Sequence, residues 1–252
     1  MKNILIVTKH FKYGNKGGGA QKSIENLYKN LKVFYKVDVL CQKTKEENEV
    51  IYSLFYFLFS SKRTYDLIYL NSFFSPISIF FICFFKQNLL VSPKGEFYPG
   101  ALKRKRIKKY FWIYCFNLFF KKKINFHFTS IDEKKISLLK IFPKNSYIAP
   151  DIIEFDFKSK KNQNSGNLEI VFISRIENKK NLLFCIDVLS KVNREVSFNI
   201  YGDIGDKAYF KKCMKEMKNL SNNIKWKYNG ELESQEIQNV FLRSDLFFFP
   251  TL

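Results

Sequence analysis

No two of the five cysteines, Cys41, Cys83, Cys115, Cys185 and Cys213, stand close enough for a CxxC pair, and their number is odd. A zinc site or a disulfide framework is therefore not expected, and a reducing, cytosolic compartment fits best. No apolar run reaches the roughly 20 residues that a spanning helix needs. The longest, residues 73–85, is broken by Pro76 and by serines and reads as a buried helix. The opening residues, Met1-Lys2-Asn3-Ile4-Leu5-Ile6-Val7, make too short an apolar stretch for a signal peptide. There is no GxGxxG and no P-loop, since no GK[ST] follows the glycines. Signatures of nucleic-acid modules such as RNP, KH or helix-turn-helix are also missing, which speaks against a basic nucleic-acid-binding protein.

What is present in excess is positive charge. Forty-three Lys and Arg face 23 Asp and Glu in 252 residues, a formal net charge of +20. That balance favours acidic partners: nucleic acid, anionic lipid surfaces or phosphorylated small molecules. It does not choose among them. With 46% hydrophobic residues, 29 Phe and 14 Tyr, core volume suffices for one large domain or two smaller ones.

Periodicity predicts alternating strands and helices. Strands are expected at 3–7, 37–40, 67–70, 89–91, 126–129 and 147–148, with helices at 20–31, 54–59, from Pro76, at about 102–120 and from near Asp132. Residues 156–167 are polar and turn-forming and read as a linker. The alternation then restarts, with strands at 169–174, 196–201, 224–228 and 245–249 and helices at 181–192, 206–220 and 234–242. Such a pattern predicts α/β architecture with parallel sheets and helices on both faces. The expected domains are 1–155 and 156–252, the second holding a half-finished doubly wound sheet.

Two segments carry candidate chemistry. Gly17-Gly18-Gly19 lies between the first strand and the first helix, where glycine permits close backbone approach and a helix N-terminus favours anions. The same residues also read as a plain flexible loop. Ser174-Arg175-Ile176-Glu177-Asn178-Lys179-Lys180-Asn181 opens the first crossover of the second sheet. Arg175 leaves the strand end and Lys180 follows five residues on, at the start of the next helix. A fork of donors and a point charge at that place suit a diphosphate. Spacing alone leaves open a solvated basic turn in a lysine-rich protein.

Taken in order, these and further segments resemble glycosyltransferase family 4, the retaining enzymes of the GT-B fold. Gly17-Gly18-Gly19-Ala20 resembles the glycine loop of the N-lobe, and Phe126-His127-Phe128-Thr129-Ser130 with Glu133 resembles HATS-x-x-E. Ile148-Ala149-Pro150-Asp151-Ile152-Ile153 resembles I-P-N-G-I, and Phe172-Ile173-Ser174-Arg175-Ile176 with Lys180-Asn181 resembles F-x-G-R-L-x-x-x-K-[GN]. Ile200-Tyr201-Gly202-Asp203, Asn229-Gly230 with Glu236, and Ser244-Asp245-Leu246-Phe247-Phe248-Phe249-Pro250-Thr251 match later motifs in the family's order. The resemblance implies a GT-B type fold of two Rossmann-like doubly wound domains, the second incomplete. It implies transfer of a sugar from a UDP- or GDP-linked donor to a glycan or lipid-linked acceptor in bacterial surface polysaccharide or lipopolysaccharide synthesis.

By the same resemblance, Arg175 and Lys180 bind the donor diphosphate and stabilise the leaving phosphate. Gly18, Gly19, Gly95 and Glu96 line the cleft on the acceptor side. Ser92-Pro93-Lys94-Gly95-Glu96 resembles the S-P-R-G loop, and Lys94 stands near the place of a catalytic histidine in other members. His127 is expected to be a structural partner of its strand. Neither a metal nor a cofactor is implied, because the two cations take over the metal's work. The family's E-x7-E segment is expected a few residues beyond Pro250-Thr251, so the chain reads as truncated, with an inactive remnant as the alternative.

Lys103-Arg104-Lys105-Arg106-Ile107-Lys108-Lys109, followed by Tyr110-Phe111-Trp112-Ile113-Tyr114 and closed by Lys121-Lys122-Lys123, is basic and aromatic-rich. It reads as a core-packed helix with a solvated basic start, as a peripheral contact with an anionic membrane at the inner face of the plasma membrane, or, least favoured, as a nucleic-acid contact.

Overall fold

The computed structural model describes residues 1–11, 19–43, 51–52, 64–85, 88–153, 167–233 and 236–251. Gly17 and Gly18, the expected helix at 54–59 and the expected linker up to residue 166 lie outside the described residues. The chain divides into two compact units, Met1–Glu154 and Phe155–Leu252.

The first unit is built on a seven-stranded sheet: β1 (Asn3–His10), β2 (Lys36–Lys43), β3 (Ile51–Tyr52), β4 (Leu67–Asn71), β5 (Leu89–Ser92), β6 (Asn125–Phe128) and β7 (Ser146–Ile148). Every pairing is parallel and the order is β3-β2-β1-β4-β5-β6-β7. Ile4, Leu5, Ile6 and Val7 are all buried, as a parallel strand covered on both faces requires. Leu5, Val7, Ile68, Leu70, Val91, Phe126 and Phe128 point to one core, and Ile4, Ile6, Val39 and Tyr69 to the other. The second core is closed by α1 (Gly19–Leu31) through Ile24 and Tyr28.

The remaining described helices of this unit are α2 (Pro76–Phe84), α3 (Pro99–Lys103), α4 (Arg106–Phe119) and α5 (Ile131–Leu138). Proline at the start of α2 and the Ser75 hydroxyl, which accepts from Ser78 N at 3.2 Å, set its N-terminus. The single helix expected at 102–120 is two. Arg104 is extended and Lys105 left-handed at φ +57. Four consecutive cations, Lys103 to Arg106, offer no capping oxygen and repel one another across a turn. Lys109 Nζ spans the break to the Ala101 carbonyl at 2.8 Å.

The second unit carries β8 (Leu168–Ile173), β9 (Val196–Tyr201), β10 (Ile224–Tyr228) and β11 (Leu246–Phe247), all parallel, in the order β10-β9-β8-β11. Helices α6 (Leu182–Leu189), α7 (Lys207–Met217) and α8 (Ile237–Arg243) connect them. Leu182, Cys185, Ile186, Cys213 and Met217 pack with Ile170, Phe172, Phe198 and Ile200 in one core. β9 alternates: Val196, Phe198 and Ile200 are buried, while Ser197 and Asn199 are only half-buried. Asn199 lies in a polar row, donating to Glu169 Oε2 at 3.5 Å and accepting from Asn229 Nδ2 at 3.2 Å. The apolar core of this sheet therefore lies mainly on one side.

Candidate functional site

Past its last residue, β8 stays zipped to the loop after β9. Ser174 N donates to the Tyr201 carbonyl at 3.0 Å, Ile176 N to Asp203 O at 2.8 Å, and Asp206 N to Ile176 O at 3.0 Å. Ile176 is fully buried and anchors the segment. Its neighbour Arg175 carries a side chain that is 62% exposed. The guanidinium Nε stands 4.0 Å from Asp203 Oδ2, itself 56% exposed. A solvated pair at that distance is worth at most about 1 kcal/mol and leaves the fork available.

Two glycines make this arrangement fit. Gly202 adopts φ +141, and a Cβ there would lie 1.8 Å from the Ser174 carbonyl oxygen. Its N–H donates to Gly230 O at 2.7 Å and its carbonyl accepts from Tyr228 Oη at 2.8 Å. Gly205 lies under the Arg175 stem, where an added Cβ would stand 2.6 Å from Cδ and 2.7 Å from Cγ.

Lys180 ends a short 3-10 turn, Asn178–Lys180, which a left-handed Asn181 (φ +54) links to α6. Its ammonium lies 4.9 Å over the Phe249 ring. Phe249 follows β11, so Lys180 sits at the β8–β11 boundary, where strand order reverses. Open α/β sheets bind ligands outside the carboxyl ends of their strands at such a switch point. Arg175 flanks the same strand end toward β9. Beside it is an open depression of about 660 Å³ lined by Glu177, Asn178, Lys179 and Gly205 to Ala208. The N-terminus of α7 there is capped by its own Asp206, whose Oδ1 accepts from Tyr209 N at 3.0 Å.

The sequence candidates of the first unit form a separate polar cluster at the carboxyl ends of β4 to β7. Lys94 is left-handed at φ +51, next to Gly95 at φ +78. Its ammonium pairs closely with Asp151 Oδ1 and donates to Ser23 Oγ at 3.2 Å. Lys94, the catalytic candidate of the sequence, has its charge engaged within its own unit. Gly95 N donates to Glu133 Oε1 at 2.5 Å, and Glu133 Oε2 accepts from Thr129 N and Oγ1, both at 2.7 Å. The buried Glu133 thus ties the 93–96 loop to the start of α5.

Glu96, expected on the acceptor side of the cleft, binds within its own unit. Its carboxylate turns into the fold, accepting from Ser72 Oγ at 2.6 Å, Phe73 N at 2.6 Å and Phe74 N at 3.2 Å. Burial pushes its pKa above the ordinary carboxylate value, against the lowering effect of those bonds and of the Lys109 charge. The group holds the strained Ser72 (φ +125) in place. Gly19 is the first residue of α1, and a Cβ there would meet nothing within 4 Å, so no close approach explains it.

His127 is held at both ring nitrogens, with Nε2 2.8 Å from the Ala149 carbonyl and Nδ1 3.0 Å from Tyr69 Oη. A carbonyl only accepts, so Nε2 carries the proton and Nδ1 accepts from the tyrosine. Burial raises the Tyr69 pKa and keeps its hydroxyl protonated as that donor. The histidine is a strut between β4, β6 and the 149–153 segment. Sequence reading placed Asp203, Asp151 and Phe249 in motifs without foreseeing their contacts and passed over Gly205 and Ser23, each distant in sequence from the residue it meets. Glu133 carried a signal, because Ser130-x-x-Glu133 has capping-box spacing and Glu133 N donates to Ser130 Oγ at 3.1 Å.

The sequence pattern of the family described as Glycosyl transferases group 1 matches residues 154–252. No curated protein matches the chain. Among solved structures, HepE of Anabaena in complex with UDP-glucose is similar at 15% identity and TM-score 0.70, over 100% of this chain and 74% of that one. The same protein in complex with UDP and glucose gives 15% identity and TM-score 0.71 over the same shares. An E. coli structure described as trehalose-6-phosphate bound with UDP-2-fluoro glucose gives 10% identity and TM-score 0.58, over 100% of this chain and 78% of that one. At these identities the likeness is one of fold: the chain is α/β with parallel sheets, of the GT-B type.

Proposed function

We propose that the chain is a family 4 glycosyltransferase that moves a hexose from a UDP- or GDP-linked donor, with retention, to a glycan or lipid-linked acceptor. Its place is the cytoplasm, at the inner face of the bacterial membrane, in surface polysaccharide or lipopolysaccharide synthesis. The observation that carries this reading is the placement of Arg175 and Lys180. Both follow the carboxyl end of β8 in an all-parallel sheet, Lys180 at its switch point and Arg175 on the side of β9, inside the segment that matches the glycosyltransferase pattern. The neighbours' complexes with UDP and UDP-sugars support a donor of the same class.

In the reaction, the bond between the sugar C1 and the diphosphate oxygen breaks while the acceptor oxygen bonds to C1. The acceptor's proton is released, and the departing diphosphate gains negative charge. Arg175 supplies a planar fork for that charge and Lys180 a point charge, the electrostatic help this step needs most. Arg175 must leave Asp203 to do so, which costs little at 4.0 Å in solvent.

Titration calorimetry on the whole chain with UDP, GDP and their monophosphates tests the reading. We expect saturable binding of one diphosphate, weakened about 10-fold to 100-fold by Arg175→Ala or Lys180→Ala, since a hydrogen bond to a charged group contributes about 1.5–3 kcal/mol. Absence of saturable binding, or binding indifferent to both substitutions, overturns it.

A further inference from the structure

Helix α4 has two apolar faces. Ile113 and Phe116 are buried in the first core, with Trp112 and Phe120 packed beside them. On the opposite side Ile107, Phe111, Tyr114 and Leu118 are 85%, 68%, 66% and 60% exposed. At 3.6 residues per turn these four lie within about 60° of one another around the axis. Phe142 continues the row at its far end, where Lys122 N donates to the Phe142 carbonyl at 2.8 Å. Soluble monomers seldom leave so continuous an apolar row in water, and such rows mark interaction sites.

The charge around the row says what covers it. From Glu96 to Asp132 the sequence has no carboxylate in between and nine cations: Lys103 to Arg106 before the row, Lys108 and Lys109 within its first turn, and Lys121 to Lys123 after it. Lys109 turns inward, over the Phe74 ring. The other eight are exposed. A second copy meeting this face would set one basic strip against another. A surface of lipid phosphates would instead neutralise both ends of the row at once.

We propose that α4 docks flat onto an anionic lipid surface. Ile107, Phe111, Tyr114 and Leu118 enter the boundary between headgroups and acyl chains, and the flanking cations hold lipid phosphates. Among the described residues no helix is long and apolar enough to cross a membrane, and this one lies in the surface plane. The inference names the surface that would meet the membrane in the reading above. Its test reads lipid binding and is independent of any nucleotide.

The experiment is flotation of the whole chain with phosphatidylcholine vesicles, with and without phosphatidylglycerol, beside sedimentation of the protein alone. We expect binding to the anionic vesicles only, falling as salt is raised. In the double variant F111S/L118S binding should be at least about tenfold weaker while the melting temperature is unchanged, because both side chains are exposed. Equal binding to neutral vesicles, no binding to either, or full binding by the variant overturns the proposal. So does a concentration-dependent dimer that the variant abolishes, which would assign the face to a second copy.

Discussion

Gly202 and Gly205 stand three residues apart in one loop, yet adding a methyl group to each should have different consequences. At Gly202 the new Cβ would lie 1.8 Å from the Ser174 carbonyl oxygen. That oxygen belongs to backbone held by the Ser174 N to Tyr201 O bond, so no rotamer change can clear it. The loop after β9 must withdraw from β8 by more than about 1 Å to restore van der Waals contact. A φ of +141 alone costs an L-residue about 1–3 kcal/mol. Withdrawal also weakens the bonds of Gly202 to Gly230 and Tyr228, each worth about 1 kcal/mol. Gly202→Ala should therefore lose about 3–5 kcal/mol, a large share of the stability of an ordinary domain.

At Gly205 the atoms in the way are Cδ and Cγ of Arg175, the flexible part of an exposed side chain. They can swing aside, so Gly205→Ala should stay within about 1 kcal/mol of wild type while moving the guanidinium. Urea unfolding followed by circular dichroism and by Trp226 fluorescence separates the two, and diphosphate titration on Gly205→Ala then reads the position of Arg175 without a stability change. Should Gly202→Ala unfold within about 1 kcal/mol of wild type, or the two variants lose stability equally, the close approach drawn here is wrong.

Three other expectations concern the first unit. Glu133→Ala strands the donors of Gly95 and Thr129 and should cost about 2–4 kcal/mol in thermal unfolding, whereas Glu133→Gln, which keeps one acceptor oxygen, should cost clearly less. Lys94→Met should cost about 1–2 kcal/mol, because the pair with Asp151 is only partly exposed; in that background Asp151→Asn should add almost nothing, a coupling that a double-mutant cycle measures. Glu96 has a folded-state pKa raised above its unfolded value near 4.5, so the fold binds its proton more tightly. Its contribution to stability is then full below about pH 4.5 and declines as pH climbs through the folded value, so wild type should lose ground to Glu96→Gln as pH rises above about 4.5; a gain with rising pH would contradict the sign.

Much of the fold could be read from the sequence because parallel strands buried on both faces leave uninterrupted apolar runs. Ile4 to Val7, Leu67 to Leu70 and Leu89 to Val91 all appear as strands where they were expected. Helix ends were harder. The 102–120 helix breaks at Arg104 and Lys105 because hydrophobic spacing registers the buried face and not the electrostatic strain among the cations. The strand expected at 245–249 shrinks to Leu246 and Phe247; Phe248 N still donates to Val171 O at 2.9 Å, while Phe249 turns its ring toward Lys180.

For the candidate sites, residue type was visible and commitment was not. A tally of charges treats every lysine as available to a ligand. The fold sorts them: Lys94 is taken up by Asp151, 57 residues away, and Lys109 by a carbonyl eight residues back. Lys180 rests on an aromatic face, which attracts a cation without neutralising it. Among the described residues, Arg175 has a stretched, solvated carboxylate partner in Asp203. The net charge of +20 therefore overstates what any one anion meets. Of the three cations proposed for chemistry, the two without a close carboxylate among the described residues are those at the end of β8, and that difference in pairing supports the diphosphate role proposed for them.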